Sequence, residues 1–298
     1  MSRFWVSSCL GLAVIAIPAF AQSPDKSDNT ITVTGQKLEK KEAKRQSRAF
    51  IGQTTTTSFS QYARRNRPVC PRVIGIDQSY AQIVEAKIRA IAKTANVKIE
   101  APNCAPNMFI LFTTDGNGLM AALRKVKPAL FASVNIRERP ALYNDPLPIR
   151  WWHSVELAGS DGDAVNTEAV TAGDGLSVEA LVSRSYGSGS LINKETVINL
   201  TGSVVVVDIG KVMGYPLDSI AAYAAMVSFS EVKPEKAHDV LPSILAMFGE
   251  GKNPADAPID LTPFDYAYVS SLYEIPPNRA GNVQKSQIAN KMAAKLRQ

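Results

Sequence analysis

The chain has 298 residues, of which 45% are hydrophobic and 20% charged, with a formal net charge of +6. That balance describes a folded globular protein and excludes a fibrous or wholly disordered one. Two histidines and no H-E-x-x-H leave a three-ligand zinc centre without its usual donors.

Residues 1–21 read as a signal peptide. Arg3 supplies the positive n-region, Phe4–Phe20 is apolar or small, and Ala19-Phe20-Ala21 forms an A-x-A cleavage site. The alternative is a membrane anchor, which Ser7, Ser8 and Pro18 inside the run oppose. The expectation is cleavage near Ala21 and a periplasmic or secreted chain from Gln22. No later run of about 18 apolar residues exists, so no transmembrane segment is expected after cleavage. Cys9 leaves with the signal. Cys70 and Cys104 remain, and in an oxidising compartment they are expected to pair. Two separate buried thiols are the alternative.

Gln22–Thr30 is a polar leader and Ile31–Gly35 a short β-like stretch. Lys37–Phe50 is dense in charge and helix formers, and reads as an exposed basic helix. Thr54–Ser60 is a Thr/Ser linker. Residues 22–60 are therefore expected to be leader and linker, 62–275 a globular domain, and 276–298 a basic C-terminal helix.

Arg72–Ile76 suits a strand, and Asp77 caps a helix over Gln78–Thr94. Val97–Glu100 and Met108–Thr113 are predicted strands, the second central. Asp115–Gly118 turns into a helix over Leu119–Val126, stopped by Pro128. Ile149–Leu157 alternates, with Trp151 and His153 on its apolar face. Gly159–Asp163 is a hairpin turn signal. Leu176–Val182 and Thr196–Leu200 are predicted strands around a Gly/Ser loop, Tyr186–Ser190. Ser203–Asp208 (SVVVVD) reads as a buried central strand. A helix over Leu217–Glu231 follows, with Pro216 and Asp218 suiting its first turn. Its span from Ser219 to Ser230 carries no charge, so most of its faces are covered. Ala237–Phe248 is a predicted helix. Thr262, Pro263 and Asp265 form a capping box for another that runs to Tyr273, and Val283–Arg297 forms the last. The sum is an α+β fold: a mixed sheet with flanking helices and a single disulfide.

The candidate chemistries are weak. His153 on an apolar strand face suits a packed, hydrogen-bonded ring, and His238 a solvated one. Asp115-Gly-Asn-Gly-Leu-Met-Ala121 has the G-x-G-x-x-A of a dinucleotide turn but lacks the acid at the end of a following strand. Ser230-Glu-Val-Lys233 fits S-x-x-K, yet the serine lies at a helix end and Pro234 follows. Asp161-Gly-Asp163 lacks the remaining oxygens of a calcium loop. Cys70 and Cys104 lack the C-x-x-C spacing of a redox pair. The basic excess at Lys37–Arg48 and Arg64–Arg67 has no interleaved aromatics, so nucleic acid is not an expected partner.

Three features stand in chain order: the helix Leu217–Glu231 after a strand, Pro242-Ser243-Ile244-Leu245, and Leu261-Thr262-x-x-Asp265 followed by Leu272-Tyr273. They resemble the metal helix, the segment after it and the C-terminal helix of the matrix-metalloprotease branch of the metzincins. The resemblance implies a zincin-like fold, specific over 242–273. It implies no reaction, because Asp218–Ala222 reads D-S-I-A-A where metal ligands and a general base would stand. The framework Cys70-Pro71, Cys104-Ala105-Pro106-Asn107 and Tyr223–Met226 is also similar to an exported family of alphaproteobacteria.

The expected function is a non-catalytic binding or accessory module of the cell envelope, with no metal or cofactor. Its expected partner is an envelope protein or, through Lys37–Arg48, an anionic envelope surface. The alternative is a peptidase-like hydrolase acting on envelope peptide or polymer, with Asp208, Asp218 and His153 as its weak cleft candidates.

Overall fold

A computed structural model describes residues 38–159, 170–171, 177–178, 193–233 and 242–298. All belong to the compact unit Lys37–Gln298. The signal segment, the β-like stretch at 31–35, most of the Gly159–Asp163 turn, the loop at 186–190 and His238 lie outside the described residues.

Four strands form the main sheet: β1 (Pro71–Ile74), β2 (Met108–Thr113), β3 (Ile149–Gly159) and, after the two-residue pair β4 (Val170–Thr171) and β5 (Ser177–Val178), β6 (Thr196–Asp208). Their order is β1-β2-β6-β3. The first three run parallel, and β3 is antiparallel to β6, so the sheet is mixed. The unbroken valines of β6 are explained by burial on both faces, with Val205, Val206 and Val207 all fully buried.

One face carries the larger core. Helices α1 (Lys40–Thr54), α2 (Gln78–Thr94), α5 (Leu217–Phe229), α6 (Pro263–Glu274) and α7 (Gly281–Lys295) bring side chains to it against Ile110, Phe112, Trp151 and Val205. The other face carries α3 (Gly116–Val126), the 3-10 turn Pro128–Phe131 and α4 (Arg139–Asn144), packed on Trp152 and Val206 through Met120, Phe131 and Leu142.

Helix α5 is the centre of the larger layer. Every residue from Ser219 to Phe229 is buried. Its apolar side chains supply roughly 1.5–3 kcal/mol each where a Met, Val, Ile or Phe is fully enclosed. Trp151 meets Tyr223 edge-on at 5.8 Å between ring centroids, and Phe248 meets Tyr223 at 5.4 Å.

Several elements differ from the sequence expectation. The core begins at α1 and not near Tyr62, because Phe50 and Ile51 are buried against α6 and α7, with the Phe50 ring 5.8 Å from Phe264. The Thr/Ser stretch begins as structure: Thr54 and Thr55 are buried, and Thr55 bridges Val232. The C-terminal helix is likewise core, through Ile288, Ala289 and Met292. Val97–Glu100 is no strand of the sheet; it makes one bridge, Val69 to Ile99. The two strands expected at 196–200 and 203–208 are one, continuous through a bulge opposite Ser154/Val155 that leaves Thr201 unpaired. Helix α3 starts three residues early because the Asp115 side chain accepts from the Gly118 amide at 2.8 Å.

The helix expected over Ala237–Phe248 is, where described, a 3-10 turn at Ile244–Phe248. The reason is Asp265. It is fully buried and accepts from Ser243 Oγ at 2.6 Å and from the Ile244 amide at 2.8 Å, while closing the α6 capping box with Thr262. These bonds hold Ser243 extended at the start of the turn.

Cys70 bonds to Cys104 with Cα atoms 5.9 Å apart, joining the entry of β1 to the loop before β2. Closing a loop of that length contributes about 3–4 kcal/mol by restricting the unfolded chain. Strand β1 is an outer edge of the sheet. Its outward side offers no free N–H at three positions: Val69 pairs with residues 98–100, Pro71 has no N–H, and the Val73 amide donates to Glu85 Oε1 at 2.9 Å.

Candidate functional site

In open sheets with parallel strands, ligand sites form beyond the carboxyl ends of those strands. Here β2 and β6 end side by side at Thr113 and Asp208. Alternation sends successive residues to opposite faces, so this end divides into a polar half and an apolar half.

The polar half is built on Asp208, which is 4% exposed. It pairs with Lys211 and accepts from the Gly116 amide at 3.4 Å. Burial opposes its charge, but Lys211, the Gly116 N–H and Arg150 outweigh it and hold the carboxyl below the ordinary range. Arg150 is fully buried and donates to the Leu147 and Asp145 carbonyls and to Asn117. Gly116 is needed by close approach: a Cβ there would run into the Arg150 guanidinium and meet Asp208 Oδ2 at 3.0 Å. The G-x-G turn therefore makes room for the protein's own side chains. A Cβ at Gly118 would likewise meet the Asp115 cap.

The apolar half is a groove of about 280 Å³. Phe112 and Ile209 line it from the ends of β2 and β6. Ile76 and Tyr80 come from the start of α2, and Met213, Tyr215, Leu217 and Ile220 from the entry to α5. Gly214 lies in this wall with φ +89°, a backbone conformation that suits a residue without a side chain. Tyr80 and Met213 are 57% and 72% exposed at its rim.

The three acid/base candidates do not converge. Asp218 is half-buried in the first turn of α5, next to Leu217, where it faces the positive end of the helix dipole. His153 meets the other end of α5: its Nε2 is 2.6 Å from the Val227 carbonyl oxygen. Nine residues of helix, roughly 13 Å, separate those positions. His153 pairs with Ser203, five residues and about 16 Å along β6 from Asp208.

His153 belongs to a set of helix caps. The final carbonyls of α5 each receive a side-chain donor: Met226 from Ser230 Oγ at 3.3 Å, Val227 from His153, Ser228 from Arg65 Nε at 3.3 Å, and Phe229 from the Tyr273 hydroxyl at 2.9 Å. Burial, with Arg65 nearby, pulls the imidazole down to about 4, so its nitrogen donates as neutral N–H. Arg65 is 5% exposed and is itself pulled down to about 10 by burial. It has carbonyl and hydroxyl partners, Asn107 O at 3.1 Å and Ser203 Oγ at 2.5 Å, besides Ser228.

The sequence reading missed Arg65, Arg150, Tyr273 and the groove. Arg65 stands in a basic run that reads as solvated, and the groove draws single residues from separate turns. Among the described residues, no group of three His, Cys, Asp or Glu is arranged to hold a metal ion. No helix of the described residues is long and apolar enough to cross a membrane. Compared with protein-family models, with curated proteins and with solved structures, the chain matches none.

Proposed function

We propose that the protein is an exported, non-catalytic binding module of the cell envelope, and that it takes the apolar part of its ligand into the groove beyond β2 and β6. The groove carries the proposal: its lining is almost wholly carbon, and Tyr80 and Met213 stand open to solvent at it. Helix α5 supports the non-catalytic part, because it turns Leu217 and Ile220 to the groove and buries the rest of its length from Ser219 to Phe229. The Cys70–Cys104 bond and the N-terminal apolar segment support export. Asp265 supports a metal-free, zincin-like tail, since it joins the two segments, 242–245 and 261–265, on which that likeness rests.

The test is titration with 1-anilinonaphthalene-8-sulfonate, followed by fluorescence. One saturable site is expected, lost in Met213→Asp and in the groove-filling Leu217→Trp, with unchanged thermal unfolding for the exposed Met213 variant. A non-saturable signal, or equal binding by Met213→Asp, would overturn the assignment.

A further inference from the structure

A second surface, on the opposite layer from the groove, points to a partner of its own. Helix α3 ends in Arg124-Lys125-Val126, Lys127 follows, and the chain returns through Ile136-Arg137 before α4. Arg124, Lys125, Lys127 and Arg137 are exposed. From Gly116 to Arg137 the sequence contains no Asp or Glu, although the whole chain has 27 acids against 33 bases. Within the stretch four exposed cations stand without an acid, and Asp115 and Glu138 bound it at either end.

Two large apolar side chains stand among these cations. Val126 is 69% and Ile136 75% exposed. Single exposed apolar residues are ordinary. These two differ in their footing. Phe131, between them in sequence, is buried, and Leu123, Leu130 and Val134 pack beside it on Trp152 and Met120. Arg139 ties the return segment by donating to the Val134 and Phe131 carbonyls, each at 3.1 Å. Ser133 Oγ accepts from the Val155 amide of β3 at 3.3 Å. Neighbouring residues supply the inner core, and Val126 and Ile136 are left on the outside.

We propose that this surface docks on an anionic phospholipid bilayer, with Val126 and Ile136 entering the headgroup layer and Arg124, Lys125, Lys127 and Arg137 facing lipid phosphates. The pairing of exposed cations with exposed aliphatic side chains is the chemistry of an interfacial membrane contact. A nucleic acid would use the cations and gain little from the two aliphatic tips, whereas a bilayer takes up both. Helices α1 and α7 are also basic, but Glu42 pairs with Arg45 at 2.7 Å in α1, and Glu274 pairs with Lys291 and Lys295 of α7. The large apolar residues Phe50 and Ile51 of α1 and Ile288 and Met292 of α7 are buried, so neither helix offers them for insertion.

Flotation of the mature chain with vesicles tests this. Binding is expected to vesicles of phosphatidylethanolamine with phosphatidylglycerol, and not to phosphatidylcholine alone. Lys125→Gln/Lys127→Gln/Arg137→Gln removes three exposed cations and is expected to weaken binding about 100-fold. Val126→Ser/Ile136→Ser is expected to abolish the binding that survives high salt. All five positions are exposed, and far-UV circular dichroism checks that the variants fold. The proposal is overturned if the wild type does not float, if the triple variant floats equally, or if the double variant floats like wild type at every salt concentration. That last result would assign a plain polyanion surface.

Discussion

His153 donates its Nε2 proton to the Val227 carbonyl oxygen, 2.6 Å away, and so closes the buried end of α5 from across the sheet. The bond joins the helix to β3, and it needs the imidazole to stay neutral beside the Arg65 cation.

Acid should therefore weaken the fold through this residue. The imidazole titrates near 6.5 in an unfolded chain and at about 4 in the folded one. Between those values the unfolded state binds the extra proton, so stability is full above pH 6.5 and falls as pH drops toward 4. The loss attributable to His153 is about 3 kcal/mol at ~1.4 kcal/mol per pKa unit. Urea unfolding at pH 7.5 and 4.5 should show a larger drop for wild type than for His153→Gln. Equal drops would count against the capping role.

Arg65 serves three acceptors, and two of them, the Ser228 carbonyl and Ser203 Oγ, take their hydrogen bond from it, while the Asn107 carbonyl also accepts from the Ser203 amide at 3.1 Å. Arg65→Met should cost about 3 kcal/mol, since it strands two acceptors at roughly 1–3 kcal/mol each. Tyr273→Phe removes both the donor to the Phe229 carbonyl and the acceptor of the Arg65 amide at 3.2 Å, and should cost about 2 kcal/mol. Denaturant midpoints that reverse this order would contradict the cap arrangement.

These caps mark the limit of what the sequence made legible. The strand Ser203–Asp208, the helix Gln78–Thr94, the Thr262/Asp265 capping box and the disulfide follow from local pattern: an apolar run, helical spacing, a four-residue motif and a compartment. The burial of α5 follows from its missing charges. What closes its far end does not, because Arg65, His153 and Tyr273 come from three elements far apart in sequence. The charge of Arg65 reads locally as solvent-facing, and only tertiary packing supplies the carbonyls that offset its burial. The same holds for α1, whose dense charge hides a narrow stripe of Ala43, Ser47, Phe50 and Ile51 that α7 covers. The groove has no local signature at all. Asp208 and Asp218 were visible as acids, but their distance from His153 is a property of the fold.

Asp265 accepts from Ser243 Oγ, the Ile244 amide and the Thr262 amide at 2.6–3.0 Å, with no exposure to water. Asp265→Asn would turn an NH2 toward one of these donors. The expected cost is about 2–4 kcal/mol, read as a lower midpoint in thermal or urea unfolding. Ser243→Ala, which removes one donor to Asp265 and the cap on the Leu245 amide at 3.1 Å, should cost about 1–2 kcal/mol. A neutral Asp265→Asn would remove Asp265 as the joint between the 3-10 turn and α6.

Gly116→Ala should destabilise by about 1–3 kcal/mol, because the added methyl meets the fixed Arg150 guanidinium and the Asp208 carboxylate. Gly210→Ala is the control on the same strand end, where the nearest atom would be Asp208 Oδ1 at an ordinary 3.6 Å. If both variants melt together with wild type, the polar half is looser than its hydrogen bonds indicate.

The covered flank of β1 has a consequence for how this molecule meets others. An unguarded strand at the margin of a sheet recruits further strands, from a second copy, from an extended peptide or from a growing fibril. At Val69, Pro71 and Val73 that margin offers no free amide to a newcomer, one being paired, one lacking its hydrogen and one held by Glu85. A strand added along β1 would find no donor at these three positions, so the ladder it could build there is a weak one and the chain is partly guarded on that side against self-templating.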